Sequence, residues 1–228
     1  MPALTRDTHI VVAGPAWAAE LDEDYNDATV ATSSNLAAAP AKASRWTPKF
    51  ITQIDESISV GTLYQGPSTD AMRSAGGEGA AFLMLDAYDG AAPAWVGGPA
   101  VWPSMAESAQ VNDPIVNNVG MMPSSVWARG FSCGRFELSS GAGEFAIPGT
   151  FANDDECYLV VVKQSSSSQQ VKITDGSKSV TATFKGPGYQ KINLGSLASS
   201  IAAGKVTATL SSNNTLTGYV FVGELTSI

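Results

Sequence analysis

Few residues in this sequence could act in catalysis, and the histidine content is the first limit on the possible enzyme mechanisms. His9 is the one histidine. It stands in a short apolar stretch, and the one Gly-x-Ser-x-Gly segment, Gly130–Gly134, lies inside a stretch that is itself predicted as a strand. A Ser-His-Asp or Cys-His arrangement needs a histidine beside its nucleophile, and zinc catalysis normally recruits several histidines or cysteines. We therefore interpret His9 as a structural or exposed residue.

Groups of carboxylates are the remaining acid–base candidates. They occur at Asp55-Glu56, at Asp86 with Asp89, and at Asp154-Asp155-Glu156. Two carboxylates in unlike environments can act as acid and base. Adjacent residues on a strand, however, point to opposite faces and do not converge. We interpret the three groups as solvated turns and predict no catalytic residue.

One acidic segment is similar to the start of a calcium-binding loop. Asp22-Glu-Asp24-Tyr-Asn26-Asp27 matches the first half of an EF-hand. Asp27 stands where glycine is needed, and Ser33 replaces the bidentate glutamate. A looser calcium site between subunits stays open beside the favoured solvated turn. The glycine cluster at 76–79 lacks the Lys-Ser/Thr of a phosphate-binding loop, and the one at 141–143 does not open a long helix, so no metal or cofactor site is predicted.

Tryptophans and cysteines supply the last candidates. Trp95 and Trp102 fall in stretches rich in proline and glycine. An exposed ring there could stack on a sugar or anchor a protein interface, although core filling is favoured for each. Cys133 and Cys157 form no CxxC or zinc-ligand pattern. They could form one disulfide or none, and buried thiols are favoured.

Strands are the elements predicted to position these residues in the C-terminal part. The apolar run Cys157–Lys163 predicts a central strand, and Asp175-Gly176 predicts a two-residue β-hairpin loop. Residues 189–194, 206–210 and 216–224 supply further strands, and 196–203 a single helical turn. About six strands at this spacing are typical of a small β-sandwich or jelly roll.

The first 148 residues have a different texture. They hold eleven of the 12 prolines and all 5 tryptophans, which predicts loops and interrupted strands. Residues 16–45 predict a short helix, an extended arm that reaches a neighbour, or both, whereas 125–138 is the best strand. The predicted fold class is therefore mainly β. A loop-rich β domain with an N-terminal arm (1–148) precedes a compact antiparallel β-sandwich (149–228).

Charge and hydropathy limit the partners. The net charge is −8, with 15% charged and 44% hydrophobic residues. Residues 1–148 hold 7 basic and 16 acidic side chains, a net −9, and 149–228 hold 6 and 5, a net +1. Nucleic acid is not an expected partner, because phosphate contacts need clustered Lys and Arg. Without a run of about 18 apolar residues no membrane span is predicted, and Gly14-Pro15 breaks the one stretch that resembles a signal peptide.

Low charge, a surface rich in small residues, a leaderless start and a compact β module together resemble structural proteins of tailed-bacteriophage particles. The segment Leu216-Thr-Gly-Tyr-Val-Phe-Val-Gly-Glu224 is similar to the sandwich modules appended to capsid, decoration and tail proteins. The resemblance implies a non-enzymatic virion protein, a capsid decoration, minor capsid or tail component, made in the host cytoplasm. Its partners would be other virion proteins and copies of itself in a homo-oligomer such as a trimer.

Two other classes of function stay open. A carbohydrate- or receptor-binding module would present Tyr158, Tyr189, Tyr219 or a loop tryptophan to a surface glycan. A hydrolase acting through two carboxylates would need them to converge in a deep cleft. No site residue is carried over from the resemblance.

Overall fold

The computed structural model describes residues 9–21, 25–38, 49–62, 72, 77–85, 94–108, 116–139, 145–146, 149–202, 207–210 and 214–225. In these ranges the chain is mainly β, as the sequence predicts. The strands are β1 (His9–Gly14), β2 (Trp17–Glu20), β3 (Tyr25–Ala38), β4 (Lys49–Thr62), β5 (Glu78–Leu85), β6 (Ala94–Ser108), β7 (Val116–Pro123), β8 (Ala128–Ser139), β9 (Phe145–Ala146), β10 (Phe151–Ala152), β11 (Glu156–Gln164), β12 (Gln169–Thr174), β13 (Ser179–Phe184), β14 (Gly188–Ile192), β15 (Ser200–Ile201), β16 (Thr207–Leu210) and β17 (Thr215–Leu225). No helix in the described ranges has the length and apolarity that a membrane crossing requires.

The main sheet has eleven strands, and neighbouring strands within it pair antiparallel. Its longest path runs β14-β11-β17-β8-β6-β5-β1-β2, and β7, β4 and β3 branch from it at β6. The branch forms at β6 because residues 94–97 pair with β8 and residues 100–108 pair with β7, whereas residues 94–101 pair with β5. A four-stranded sheet, β13-β12-β16-β9, and the short pair β10–β15 complete the described fold.

The two ends of the main path approach each other, so the sheet is nearly closed. A Cβ on Gly188 of β14 would lie 2.8 Å from the carbonyl oxygen of Pro15 in the β1–β2 turn, so a side chain there would clash. The Tyr219 hydroxyl donates a hydrogen bond of 2.7 Å to Glu20 Oε1, and Arg135 Nε donates one of 3.0 Å to the same oxygen. These bonds hold β2 against β17 and β8.

Aromatic rings fill the space inside the nearly closed sheet, because alternate residues of its strands point inward. Phe82 and Phe221 stack with ring centroids 4.5 Å apart, and Trp95 lies 5.7 Å from Phe82. The Trp95 indole donates a hydrogen bond of 3.0 Å to the backbone carbonyl of Val222. Trp95 is therefore a core residue, which confirms the favoured interpretation over the exposed one.

Two further hydrophobic cores lie on the outer side of the nearly closed path of eight strands. The β12–β13 pair packs on β8, β11 and β17, with Val171, Ile173 and Phe184 against Leu159, Val161 and Val220. Strands β4 and β7 pack on β1 and β5, with Ile58, Val60, Val119 and Met121 against Ile10, Val12 and Leu83. The described molecule is thus three layers deep, with the nearly closed sheet in the middle.

The C-terminal strands lie where the hydrophobic pattern predicts them, with one difference in a loop. Strand β11 is central, between β14 and β17. The Asp175-Gly176 loop has four residues rather than two, because β12 ends at Thr174 and its partner Ser179 begins β13. The Asp175 carboxylate accepts hydrogen bonds from the backbone N–H groups of Ser177 and Lys178 at 2.8 and 2.7 Å, and these bonds organise the longer loop.

The alanine-rich stretch 16–45 is extended where the structure describes it. Tyr25–Ala38 is a strand, so the helical alternative is wrong for these residues. Pairing with β4 along its length outweighs the helix preference of the alanines. Residues 39–45 lie outside the described ranges. The division into 1–148 and 149–228 stays a prediction, and the main sheet contains strands from both sides of that boundary.

Candidate functional site

Two of the acid–base candidates are buried instead of solvated. Glu56 is 7% exposed and accepts a hydrogen bond of 2.7 Å from Arg129. Glu156 is 8% exposed and accepts bonds of 2.7 Å from Lys191 and 3.1 Å from the Tyr158 hydroxyl. The interpretation as solvated turns is wrong for these two glutamates, because each is buried and paired with a cation from another strand. Both side chains link strands of the fold.

The other candidates for chemistry are dispersed. His9 begins β1 opposite Met84 of β5, and Cys157 is a buried thiol in β11. Asp155 caps a turn by accepting the Ala152 N–H at 2.8 Å. Asp86, Asp89 and Asp22–Asp24 lie outside the described ranges, as does the side chain of Cys133. Among the residues whose side chains are described, no three His, Cys, Asp or Glu gather as metal ligands would.

The tyrosines offered for glycan binding are largely withdrawn from solvent. Tyr158 and Tyr219 are 2% and 0% exposed, so neither ring can stack on a sugar in the folded protein. Burial, reinforced by the neighbouring Glu156 carboxylate, raises the pKa of the Tyr158 hydroxyl well above its usual value. Tyr189 is half-buried. Trp102 is also half-buried and packs on Trp17, with ring centroids 5.7 Å apart.

A long β-hairpin that extends past its neighbouring strand is the most distinctive surface feature. Strands β3 and β4 pair from Tyr25↔Thr62 to Ala38↔Lys49. On its other side β4 pairs with β7 only over Ile58–Thr62. Residues 49–57 therefore have β3 as their one described strand neighbour. Nine residues of strand extend roughly 30 Å, and we name residues 31–38 with 49–57 the projecting hairpin.

The outer edge of β3 is an unusual edge strand. No described strand pairs with it on that side. The other edge strands of the described sheets are short, with 4 residues in β2, 5 in β14 and 6 in β13, whereas β3 has 14. Its sequence contains neither lysine nor proline, the residues that commonly protect an edge from pairing. The β3 edge is thus available for strand addition.

The base of the projecting hairpin is fixed to the body. Glu56 is the first inward residue beyond the stretch of β4 that pairs with β7, and its carboxylate is 2.7 Å from Arg129 of β8. The next inward residues, Ile58 and Val60, are 0% and 1% exposed in the adjoining core. The hairpin therefore leaves the body in a defined direction.

The outer face of this layer carries small side chains. Thr29, Ala31, Ser33 and Ser59 are exposed on it. A shallow, open depression of about 170 Å³ lies beside them, lined by Ser59, Gly61, Asn118, Gly120 and their neighbours. Small side chains allow another protein surface to approach the sheet closely.

Of three comparisons with known proteins, the one with solved structures found similar chains. No protein-family model and no curated protein matches the sequence. A chain in the virion of a native gene transfer agent particle is similar at a TM-score of 0.41 and 12% identity, over 55% of this chain and 97% of that chain. A chain in the tail of an empty gene transfer agent particle, refined with C6 symmetry, gives 0.38 and 12%, over 54% and 94%.

A third similar structure is a phage protein. The Dit protein of phage SPP1, described as a paradigm of the hub adsorption apparatus in phages that infect Gram-positive bacteria, gives a TM-score of 0.34 and 10% identity, over 94% of this chain and 99% of that chain. All three are structures of phage or gene transfer agent components, the class that the sequence resembles.

Proposed function

We propose that this protein is a non-enzymatic structural component of a tailed-phage or gene transfer agent particle and acts through contacts between subunits. The projecting hairpin is the observation that supports the proposal most strongly. Its residues 49–57 pair only with β3 among the described strands, and the outer edge of β3 pairs with none of them. An isolated two-stranded ribbon is at best marginally stable in water. A neighbouring subunit could pair with backbone groups of β3 and of residues 49–54 that no described strand contacts.

The proposed contact joins two different edges of the hairpin. One copy would offer the outer edge of β3, and the next copy the edge of β4 over residues 49–54, which pairs with no described strand on that side. Because these surfaces are not the same, the contact is heterologous, and repetition closes a ring or extends a filament. Among the decoration, minor capsid and tail roles, this geometry favours a ring-forming tail component. Other virion proteins would then contact the two faces of the ring.

Shortening the hairpin while keeping the body intact tests this proposal. Residues 34–54 are replaced by Asn-Gly, which joins the paired residues Ser33 and Asp55 through a two-residue turn. The mass in solution is measured by light scattering after size exclusion. We expect the complete chain to form a defined oligomer and the shortened chain to be a monomer that still unfolds cooperatively in urea.

Point variants separate loss of contact from loss of folding. Ala31→Lys places a charge on the exposed face of β3 and should weaken the oligomer, since lysine on an edge strand opposes strand addition. Thr181→Lys places the same charge on the exposed face of β13 and should leave the mass unchanged. A complete chain that is a monomer, or an oligomer that survives both hairpin variants, would contradict the proposal.

A further inference from the structure

The two edges that the projecting hairpin offers differ greatly in length. Strand β3 has 14 residues, and no described strand pairs with its outer edge. The corresponding edge of β4 covers only residues 49–54, because Glu56 contacts Arg129 and Ile58–Thr62 pairs with β7. An antiparallel ladder forms about one backbone hydrogen bond per residue, so the β3 edge can form about fourteen such bonds, whereas the β4 edge of a neighbour can supply only about six.

Several other edge strands of the described sheets are covered by neighbouring groups. The edges of β2 and β14 approach each other across the gap of the nearly closed sheet, where the backbone of Pro15 lies against Gly188. On β13, the Gln190 side chain donates a hydrogen bond of 2.6 Å to the backbone carbonyl of Thr183. Strand β3 is longer than any of these, and its sequence has neither lysine nor proline to oppose pairing. Its full length therefore matches a partner strand as long as itself.

The sequence of β3 is compatible with pairing to itself. Two identical strand edges are self-complementary when they run antiparallel about a two-fold axis. With the axis beside Ala31, residues 25–37 of the two copies pair and form about thirteen backbone hydrogen bonds. The one charged residue of β3, Asp27, then takes the position opposite Asn35 of the other copy and not opposite a second aspartate. Ala31 is exposed, small and uncharged, so the two copies can approach closely at the axis.

We propose that a subunit outside a particle pairs its β3 edge with the β3 edge of a second copy and forms a two-fold dimer. This contact satisfies about twice as many backbone groups as the β3–β4 contact. Because both copies offer the same surface, the contact is isologous and closes at two chains. The inference rests on the proposed function and deepens it, since the dimer withholds the edge that ring assembly needs. Assembly then requires the exchange of β3–β3 pairing for β3–β4 pairing.

Disulfide trapping of the complete chain tests which edges meet. Ala31→Cys places a thiol on the exposed face of β3 beside the proposed axis, and Thr29→Cys and Ser33→Cys do so for the neighbouring registers. Directly opposed residues of an antiparallel pair have Cα atoms within about 5.5 Å, close enough for a disulfide. In a ring of β3–β4 contacts, β4 separates two β3 strands by about 10 Å, which is too far. We expect one of the three variants to form a covalent dimer under mild oxidation.

Light scattering of the same samples counts the chains. We expect the original protein to have twice the 23.6 kDa of one chain, and Ala31→Lys to have the mass of one chain. Ser59→Cys, on the exposed face of β4, is the matched control for trapping. It should stay unlinked, because two β3 strands would separate it from its copy. The original chain, with Cys133 and Cys157, gives the background of links through native thiols.

The outcomes separate this inference from the proposed function. A dimer that none of the three cysteine variants links would overturn the β3–β3 pairing. A species larger than two chains without a covalent dimer would also overturn it, while supporting the β3–β4 contact. A linked dimer that forms no larger species at any concentration would support the β3–β3 pairing and contradict the ring. A complete chain that is a monomer would contradict both.

Discussion

Replacement of Glu56 by glutamine should loosen the projecting hairpin where it leaves the body. The carboxylate is 2.7 Å from Arg129, and the two side chains are 7% and 47% exposed. Fully exposed ion pairs contribute about 0.2–1 kcal/mol, and hydrogen bonds to charged groups about 1.5–3 kcal/mol. The half-exposed arginine places this pair between the two ranges. We expect Glu56→Gln to lower the free energy of unfolding by about 1–2 kcal/mol.

Urea unfolding and amide hydrogen exchange together measure this effect. The unfolding midpoint gives the change in stability, and exchange at residues 55–58 reports opening of the hairpin base. A loss of about 1.4 kcal/mol would speed exchange there about tenfold. Glu137→Gln is the matched control, because Glu137 also contacts an arginine, Arg135, at 2.7 Å but is 68% exposed. Its cost should stay below about 0.5 kcal/mol.

The comparison between the two glutamates decides whether burial makes the Glu56 pair important. If Glu137→Gln costs as much as Glu56→Gln, burial is not the reason for the effect. If Glu56→Gln changes neither the midpoint nor the exchange at residues 55–58, the ion pair does not hold the hairpin base. In that case the neighbouring core residues alone would set its direction.

Two further predictions concern the interior of the main sheet and one surface loop. Trp95→Ala should lower the free energy of unfolding by about 3–5 kcal/mol, because it empties a buried site among other rings. Trp17→Ala should cost less, because Trp17 is half-buried. Equal urea midpoints for the two variants would contradict this prediction. Backbone N–H groups, that of Lys178 foremost, lower the pKa of Asp175 below its usual range. Its contribution to stability is therefore present above about pH 4 and is lost as the pH falls through the lowered value. Asp175→Asn should reduce the acid sensitivity measured by unfolding at constant ionic strength, and an unchanged acid profile would refute the assignment.

Strands of the C-terminal part could be predicted because their signals are local. The apolar run in β11 and the alternation in β13 each specify a strand within a few residues. The nearly closed main sheet has no such local signal. Strand β17 pairs with β8, from Thr215↔Ser139 to Leu225↔Ala128, and no pattern within either segment names the other as its partner. Pairing across such distances is set by packing of the whole chain.

The buried glutamates show what a sequence pattern can miss. Glu56 belongs to an acidic doublet, which suggested a solvated turn, yet it alternates with Ile58 and Val60 on the buried face of β4. That alternation was the available signal for an inward position. Glu156 had no comparable signal. Its partner Lys191 lies 35 residues away in the sequence. Hydrophobic alternation can therefore predict burial of a carboxylate, but it does not identify the cation that binds it.

The position of β17 governs when a newly made chain can complete its main sheet. It follows every other strand of the main sheet in the chain, yet it lies between β8 and β11. Until it is in place, two inner strands have unpaired backbone groups and the aromatic interior lacks Tyr219 and Phe221. The projecting hairpin, by contrast, is local and can form early. Arg129, which anchors the hairpin through Glu56, lies in β8, and β8 pairs on both edges only when β17 is in place. A chain interrupted before β17 would thus have the projecting hairpin without the support of a completed β8, and such fragments should be sensitive to proteolysis.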